Sequence, residues 1–127
     1  MRIGLIFVSA IAMVYFNVSL VNSTWILKIG NGFDTLKFQK NNHVKIYDCE
    51  MQYTFHGSYT VSKDTLTIIE KDDSHSEDNA KVMFFRMKYL MRKNALFPVR
   101  SSQLTKGKWV ELKMEFDKTS FFKRVQN

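Results

Sequence analysis

The stretch that decides the fold runs from Met51 to Glu70, MQYTFHGSYTVSKDTLTIIE. Its first half alternates apolar and polar side chains, a period of two that predicts a strand with one buried face. A second alternating segment follows, and a two-residue turn at 63–64 would place Tyr59 opposite Ile68. Because apolar side chains then meet on one face, the pattern predicts an antiparallel hairpin and its register. The apolar positions of the first half are Met51, Tyr53, Phe55, Tyr59 and Val61.

Two residues on the apolar face of this hairpin are unusual. Gly57 lies where a side chain is expected, which predicts a bend or bulge that curls the sheet towards closure. Glu70 continues the buried face of the second strand and falls opposite Gly57. A carboxylate near the mouth of a barrel can have a raised pKa and so point to function. The alternative is that Glu70 marks the strand leaving the core for solvent.

The same period recurs along the chain, in segments joined mostly by short loops. The segments cover 24–29, 33–39, 43–48, 81–93, 108–117 and 120–126. A loop at 40–42 would keep Phe38 opposite Val44. Segment 95–105 is less regular and contains Pro98, which disfavours a central strand. About eight strands with short sequential connections predict an all-β fold, an antiparallel up-and-down barrel whose closure removes exposed edges.

The N-terminal segment is separate from this pattern. Arg2 precedes a long apolar run that ends in the small residues Val21 and Ser23, the layout of a secretory signal peptide over 1–23. An uncleaved membrane anchor is the alternative reading. We therefore expect one domain at 24–127, located in the periplasm or secreted. The single cysteine, Cys49, excludes an internal disulfide. We expect a buried thiol and a monomer, with a disulfide between two chains as the alternative.

Three motifs carry a resemblance to a known family. They are Trp25 in the first strand, GSYTVSKDTLTI at 57–68 and FFKRV at 121–125. With these motifs the chain resembles the lipocalin-like domains of small exported bacterial proteins. The resemblance implies that Trp25 packs under Arg124 at the closed end of the barrel. Ser23 replaces the glycine that such proteins usually carry two residues before the Trp. The resemblance also implies an interior that holds a small apolar molecule.

The predicted interior face is rich in methionine and aromatic side chains. Methionine adapts its shape and suits permissive apolar sites, but it also fills solid cores. Binding of a small apolar or amphipathic molecule in the barrel is therefore one hypothesis. The candidate ligand-binding wall consists of Tyr53, Phe55, Tyr59, Met83, Phe85, Met87, Tyr89, Met91 and Met114, with Met51 and Phe116 on the same face.

The alternative function is an interaction domain with a solid core that binds an acidic partner through its outer surface. The formal net charge is +7, and Arg86, Lys88 and Arg92 share the predicted outward face of one strand. Export argues against nucleic acid as the partner, and this strand presents no exposed aromatic platform on which bases could stack.

The sequence gives little support for catalysis, metals or cofactors. His43, His56 and His75 are scattered, the first two on predicted outward faces, and no nucleophile elbow, HExxH or phosphate loop occurs. The acidic loop at 72–78 lacks the spacing of a calcium loop, so we expect it to be solvated. We predict that the protein is not an enzyme and uses no cofactor.

Overall fold

The computed structural model describes residues 20–74 and 81–126, a part of the chain that forms nine strands and no helix. The strands are β1 Thr24–Ile29, β2 Gly32–Phe38, β3 His43–Asp48, β4 Tyr53–Ser62, β5 Thr65–Asp72, β6 Met83–Arg92, β7 Ala95–Thr105, β8 Lys108–Glu111 and β9 Phe122–Arg124. Consecutive strands pair antiparallel from β1 to β8. Strand β9 pairs with both β7 and β1, which closes the ring. Because β8 and β9 occupy one position beside β7, the result is the predicted eight-strand up-and-down barrel.

Both hairpins whose register the sequence specifies adopt it. Tyr59 lies opposite Ile68, with the turn at 63–64, and Phe38 lies opposite Val44 across the loop at 40–42. Positive φ angles occur at Asn42 and Lys63, among other turn residues. Asparagine tolerates this left-handed conformation better than most residues, which explains its use in the loop.

Gly57 does not mark a β-bulge, and this part of the prediction is wrong. Its register is regular on both sides, with Val44 on β3 and Glu70 on β5 as its partners. The glycine instead allows a close approach of two backbones. A Cβ at position 57 would lie 2.5 Å from the carbonyl oxygen of Ile69, a distance that no side chain accepts. This is a second recognised use of glycine within a strand.

Segment 95–105 forms a central strand despite Pro98, contrary to the expectation from sequence. The bulge of the barrel lies here, because Lys88 pairs with Arg100 whereas Tyr89 pairs with Pro98. On the other side, β8 pairs with β7 only from Ser102 onwards and β9 pairs only with its first two residues. Proline cannot donate a ladder hydrogen bond, and it is tolerated where the ladder is already interrupted.

The predicted strand at 108–117 is also too long. Strand β8 ends at Glu111, and residues 112–121 leave the sheet before β9 begins; we call residues 112–121 the strap. Alternation continues through the strap as far as Phe116, but beyond Leu112, whose amide donates to the Ser101 carbonyl at 2.8 Å, the strap has no strand partner among the described residues. The inward residue of the last strand is Phe122, which is buried, while Phe121 stacks against Phe97 with ring centroids 4.7 Å apart.

The core fills the lower end of the barrel, by which we mean the end that carries the β2–β3, β4–β5 and β6–β7 turns. Trp25 is 1% exposed, and its indole nitrogen donates a hydrogen bond to Ser23 Oγ at 2.8 Å. The guanidinium of Arg124 lies 5.8 Å from the Trp25 ring centroid, in the arrangement that the resemblance implies. The other large and fully buried side chains are Leu20, Leu36, Phe38, Val44, Leu66, Ile68 and Leu96.

The predicted signal segment lies mostly outside the described residues, and its cleavage stays a prediction. Leu20 and Ser23, however, are part of the lower core. The Asn22 amide donates to the Phe38 carbonyl at 2.9 Å, and the Phe38 amide donates to Ser23 at 3.0 Å. A cut before Thr24 would therefore remove a buried leucine from the barrel. Within the described part of the chain, no helix is long and apolar enough to cross a membrane.

We expect Gly57→Ala to lower the free energy of unfolding by about 1–3 kcal/mol, because the new methyl group must push β5 away from β4. Urea unfolding followed by circular dichroism measures the change. Ser58→Ala, at the exposed neighbouring position, is the control and should be nearly neutral. Equal stability of the two variants would contradict the close-approach explanation.

Candidate functional site

The barrel is not filled along its whole length. A cavity of about 380 Å³ occupies the upper half, towards the end that carries the β1–β2, β3–β4 and β5–β6 connections. Its walls are largely apolar and its floor lies above the packed core. The interior is therefore solid in the lower half and open in the upper half. The predicted solid core describes the lower half, and the predicted ligand cavity describes the upper half. The apolar side chains that line the cavity include Leu27, Leu36, Ile46, Met87, Pro98 and Phe122.

The strap closes one side of the cavity where β8 and β9 leave β7 without a strand partner. Met114 and Phe116 of the strap line the cavity. On the outside, a groove of about 550 Å³ runs along the same gap. Pro98, Phe116 and Asp117 line both spaces, so the strap separates the interior from the outer groove. Met114 is 53% exposed, which shows that this wall is thinner than a paired strand.

Carboxylates mark the upper ends of three inward-facing apolar series. Asp34 follows the parity of Leu36 on β2, Asp48 that of Ile46 on β3, and Glu70 continues Ile68 on β5. The prediction from sequence includes Glu70 but omits Asp34 and Asp48, although their parity marks them in the same way. Strands β2 and β3 are neighbours and only β4 separates β3 from β5, so the three carboxylates line one cavity. Strap residues Glu115 and Asp117 add to them, and no described Lys, Arg or His lines it.

Glu70 has no hydrogen bond or ion pair to any of the described residues. Burial, followed by the charges of Asp72 and Asp48, raises the pKa of Glu70 to about 7. A carboxylate that loses water without gaining a partner destabilises its charged form. Carboxylates with a strongly raised pKa are common at catalytic and ligand-binding sites.

Asp34 and Asp48, in contrast, are held by the backbone at the β3–β4 turn. Asp34 Oδ1 accepts a hydrogen bond from the Cys49 amide at 2.9 Å. Asp48 Oδ1 accepts hydrogen bonds from the amides of Glu50 and Met51, both at 3.0 Å. These contacts fix the two carboxylates at the mouth. A hydrogen bond to Asp34 also raises the pKa of the free, half-buried Cys49 thiol, which lowers its reactivity.

Tyr89 brings a phenol to the apolar part of the cavity. Its side chain is 5% exposed, and its ring meets Phe122 edge to face at a centroid distance of 5.9 Å. The hydroxyl has no hydrogen-bond partner among the described residues. Burial, with the charges of Glu70 and Asp34, raises the pKa of Tyr89, so the phenol stays protonated. Among the described residues only Arg86 Nε is both fully buried and unpaired, so the Tyr89 hydroxyl is open to the cavity that its side chain lines.

The predicted ligand-binding wall is divided by the structure. Met87, Tyr89 and Met114 line the cavity, whereas Phe55, Tyr59 and Met91 are buried and do not. Towards the upper end, Tyr53 donates a hydrogen bond to Asp73 at 2.9 Å, Met83 accepts one from Gln103, and Phe85 is half-buried. The inward placement of Met51 is wrong: β4 begins only at Tyr53, so Met51 lies in the turn and is 50% exposed.

The predicted basic surface is partly engaged within the protein. The Arg86 guanidinium lies 4.8 Å from the centroid of the Trp109 ring, with its Nε buried, and Arg92 pairs with Asp64 at 3.7 Å. Lys88 lies half-buried on the same strand.

The histidines and the acidic loop at 72–78 do not form a metal centre within the described residues. His43 and His56 meet on the outer face, with ring nitrogens 3.1 Å apart. The acidic loop is described only as far as Ser74, which donates hydrogen bonds to Asp72. Among residues 20–74 and 81–126, no three His, Cys, Asp or Glu side chains are close enough to share a metal ion.

Glu70 makes stability depend on pH. In the folded protein its pKa is about 7, against an ordinary value of 4.5, so between these values the folded state binds more protons than the unfolded state. Stability therefore falls as pH rises through this window and stays low above it. We expect Glu70→Gln to remove this dependence and to stabilise the protein above pH 7 by about 1–3 kcal/mol.

Urea unfolding at a series of pH values measures this effect. Glu50→Gln, at an exposed position outside the cavity, is the matched control and should keep the wild-type slope. A Glu70→Gln variant with the wild-type slope would show that Glu70 has an ordinary acidity.

Comparison with known proteins adds no family to this description. No protein-family model, no curated protein and no solved structure matches the chain.

Proposed function

We propose that this protein is a lipocalin-like carrier that binds a small molecule with an apolar body inside its barrel. The observation that supports this best is the cavity of about 380 Å³ above a fully packed lower core. Ligand pockets in proteins typically have volumes of roughly 300–1,000 Å³ and mostly apolar walls with a few polar groups. This cavity has both properties, and the closed barrel supports the resemblance seen in the sequence. Export to the periplasm or the outside stays part of the proposal.

The division of the barrel supports binding over simple loose packing. Below the cavity, the largest side chains are fully buried, so this sequence can fill a barrel where it needs to. Above, side chains of the same types leave space, and two polar groups that line it have no partner. Cavities cost stability because their lining loses dispersion contacts. A cavity of this size therefore fits a site whose filling restores those contacts.

The surface-binding alternative has less support. Of its three basic residues, Arg86 and Arg92 already contact Trp109 and Asp64. An acidic partner would have to displace these contacts, and each exposed ion pair that it formed instead would contribute at most about 1 kcal/mol. Binding of an acidic protein stays a prediction from the sequence, without a structural feature that favours it.

A tryptophan placed inside the cavity tests the proposed function. We expect Met87→Trp to abolish binding of the uncharged fluorophore N-phenylnaphthylamine, because Met87 lines the cavity and the indole would occupy the space. The fluorescence of the probe on transfer to an apolar site gives the affinity, and a rise in melting temperature with probe concentration confirms binding to the folded state. Lys88→Trp, on the outer face of the same strand, is the control.

The two variants distinguish a cavity from a solid core. With a cavity, Met87→Trp stays folded and loses the probe, while Lys88→Trp binds it normally. In a solid interior, the wild type would ignore the probe and Met87→Trp would lower stability by about 1–3 kcal/mol through overpacking. The second result would refute the proposal.

A further inference from the structure

The cavity has the opposite charge character to the rest of the chain. The protein carries a formal net charge of +7, yet Asp34, Asp48, Glu70, Glu115 and Asp117 all line the cavity. Lysine, arginine and histidine are absent from the described residues that line it. The carboxylates reach this one space from β2, β3, β5 and the strap, so the concentration of charge is a property of the fold and not of one acidic segment.

Two groups that line this space have no hydrogen-bond partner among the described residues, and both are open to the cavity. The Glu70 carboxyl, half-buried, accepts no hydrogen bond from any described residue, and the Tyr89 hydroxyl is equally unpaired although its side chain is 95% buried. An ionised carboxylate needs donors or a positive charge. A neutral phenol oxygen can accept a hydrogen bond as well as donate one. One group that donates several hydrogen bonds and carries positive charge would satisfy both.

We propose that the cavity binds an amphipathic amine, with the protonated amino head between Glu70 and the Tyr89 hydroxyl and the apolar body against Leu27, Ile46 and Met87. This inference rests on the proposed function and specifies the chemical class of its ligand. An alkylammonium has the donors and the charge that both groups lack. The apolar walls then bury the remainder of the molecule.

The same arrangement disfavours the other charged ligands. A carboxylate or phosphate head would lose its water and face only negative charges, so fatty acids are poor candidates. A bare divalent cation needs several ligands converging on one point, whereas no described trio of acidic residues comes close enough to share one. Asp34 and Asp48 are fixed by backbone amides at the mouth. There the two carboxylates attract a cation electrostatically but are held too firmly to coordinate it directly.

A series of three probes with one skeleton tests the charge preference. Phenylbutylamine, phenylbutanol and phenylbutyrate share an apolar body and differ only in the head group. Displacement of N-phenylnaphthylamine or titration calorimetry gives their affinities. We expect the amine to bind about tenfold or more tightly than the alcohol, and the carboxylate to bind weakest, as the local charges require.

Two substitutions assign this preference to residues. Glu70→Gln should reduce the amine to the affinity of the alcohol while changing the alcohol by no more than about twofold, because only a charge is removed. Tyr89→Phe, which keeps the ring against Phe122, should weaken the amine about three- to tenfold. Glu111→Gln, on the outer face of β8 and paired there with Arg100, is the control and should leave the preference intact.

Acidity gives an independent readout. The charges of Asp72 and Asp48 act on Glu70, which has the raised pKa of about 7. The other titratable groups that line the cavity are also acidic; they are Asp34, Tyr47, Tyr89, Glu115 and Asp117. Protonation of Glu70 below this value removes the charge that pairs the amine. Amine affinity should therefore fall as pH drops from about 8 to about 5.5, by up to tenfold per pH unit, while alcohol affinity stays constant. In Glu70→Gln this slope should be lost.

The outcomes separate the inference from the proposed function. Equal affinities for amine and alcohol, or tightest binding of the carboxylate, would overturn the amine class while leaving a general apolar cavity. Displacement of the amine by millimolar Ca²⁺ that depends on Glu70 would also overturn it, in favour of a metal site. If none of the three probes binds and N-phenylnaphthylamine is also ignored, both the inference and the proposed function fail.

Discussion

Closure of the barrel depends on a strand of three residues, Phe122–Arg124. Lys123 pairs with Ala95 of β7 and with Ile26 of β1, so one short segment joins both edges of the sheet. Two side chains on the inward face of this strand reinforce the seam. Phe122 is buried against Tyr89 inside, and Arg124 lies over the buried Trp25. Unpaired backbone groups at an open sheet edge are unfavourable, and β9 pairs them at both edges. The core can pack only because the lower end is closed in this way.

The shortness of this strand also explains why the upper half is different. Above β9, the strap covers the gap between β7 and β1; only Leu112, at its start, donates a backbone hydrogen bond to β7, and Met114 stays half exposed. A side wall of this kind cannot press apolar side chains into the interior as a paired strand does. The space that remains is lined by a Glu70 carboxyl and a Tyr89 hydroxyl that have no hydrogen-bond partner among the described residues. Unpaired polar groups in a largely apolar wall depart from the usual rules of folding, and such departures are expected at functional sites.

The local part of this architecture was readable from the sequence, and the non-local part was not. The β4–β5 register follows from alternation on both sides of a two-residue turn, because a one-residue slip would expose Tyr59 and Ile68. Alternation cannot reveal whether a strand has a neighbour. It therefore continued through the strap to Phe116, and it gave no sign that β7 loses its partners around Pro98, where a proline is harmless. The acidic lining could be predicted only in part. The inward direction of Asp34 and Asp48 follows from the parity of their apolar neighbours. That they line the same cavity as Glu70 depends on the order and closure of the sheet.

Charge separation between the surface and the cavity has a kinetic consequence for the proposed amine ligand. At physiological salt the Debye length is about 8 Å, so the basic outer surface repels an approaching cation only weakly and over a short range. Within the barrel, the carboxylates act through a medium of low dielectric constant and are screened much less. Attraction is therefore confined to the neighbourhood of the carboxylates at the mouth, on the strap and inside the barrel. Long-range electrostatic steering contributes little to association, unlike in proteins whose whole surface attracts the ligand. Selectivity for an amine over an alcohol must then lie in the dissociation rate, as it does for most differences between related complexes.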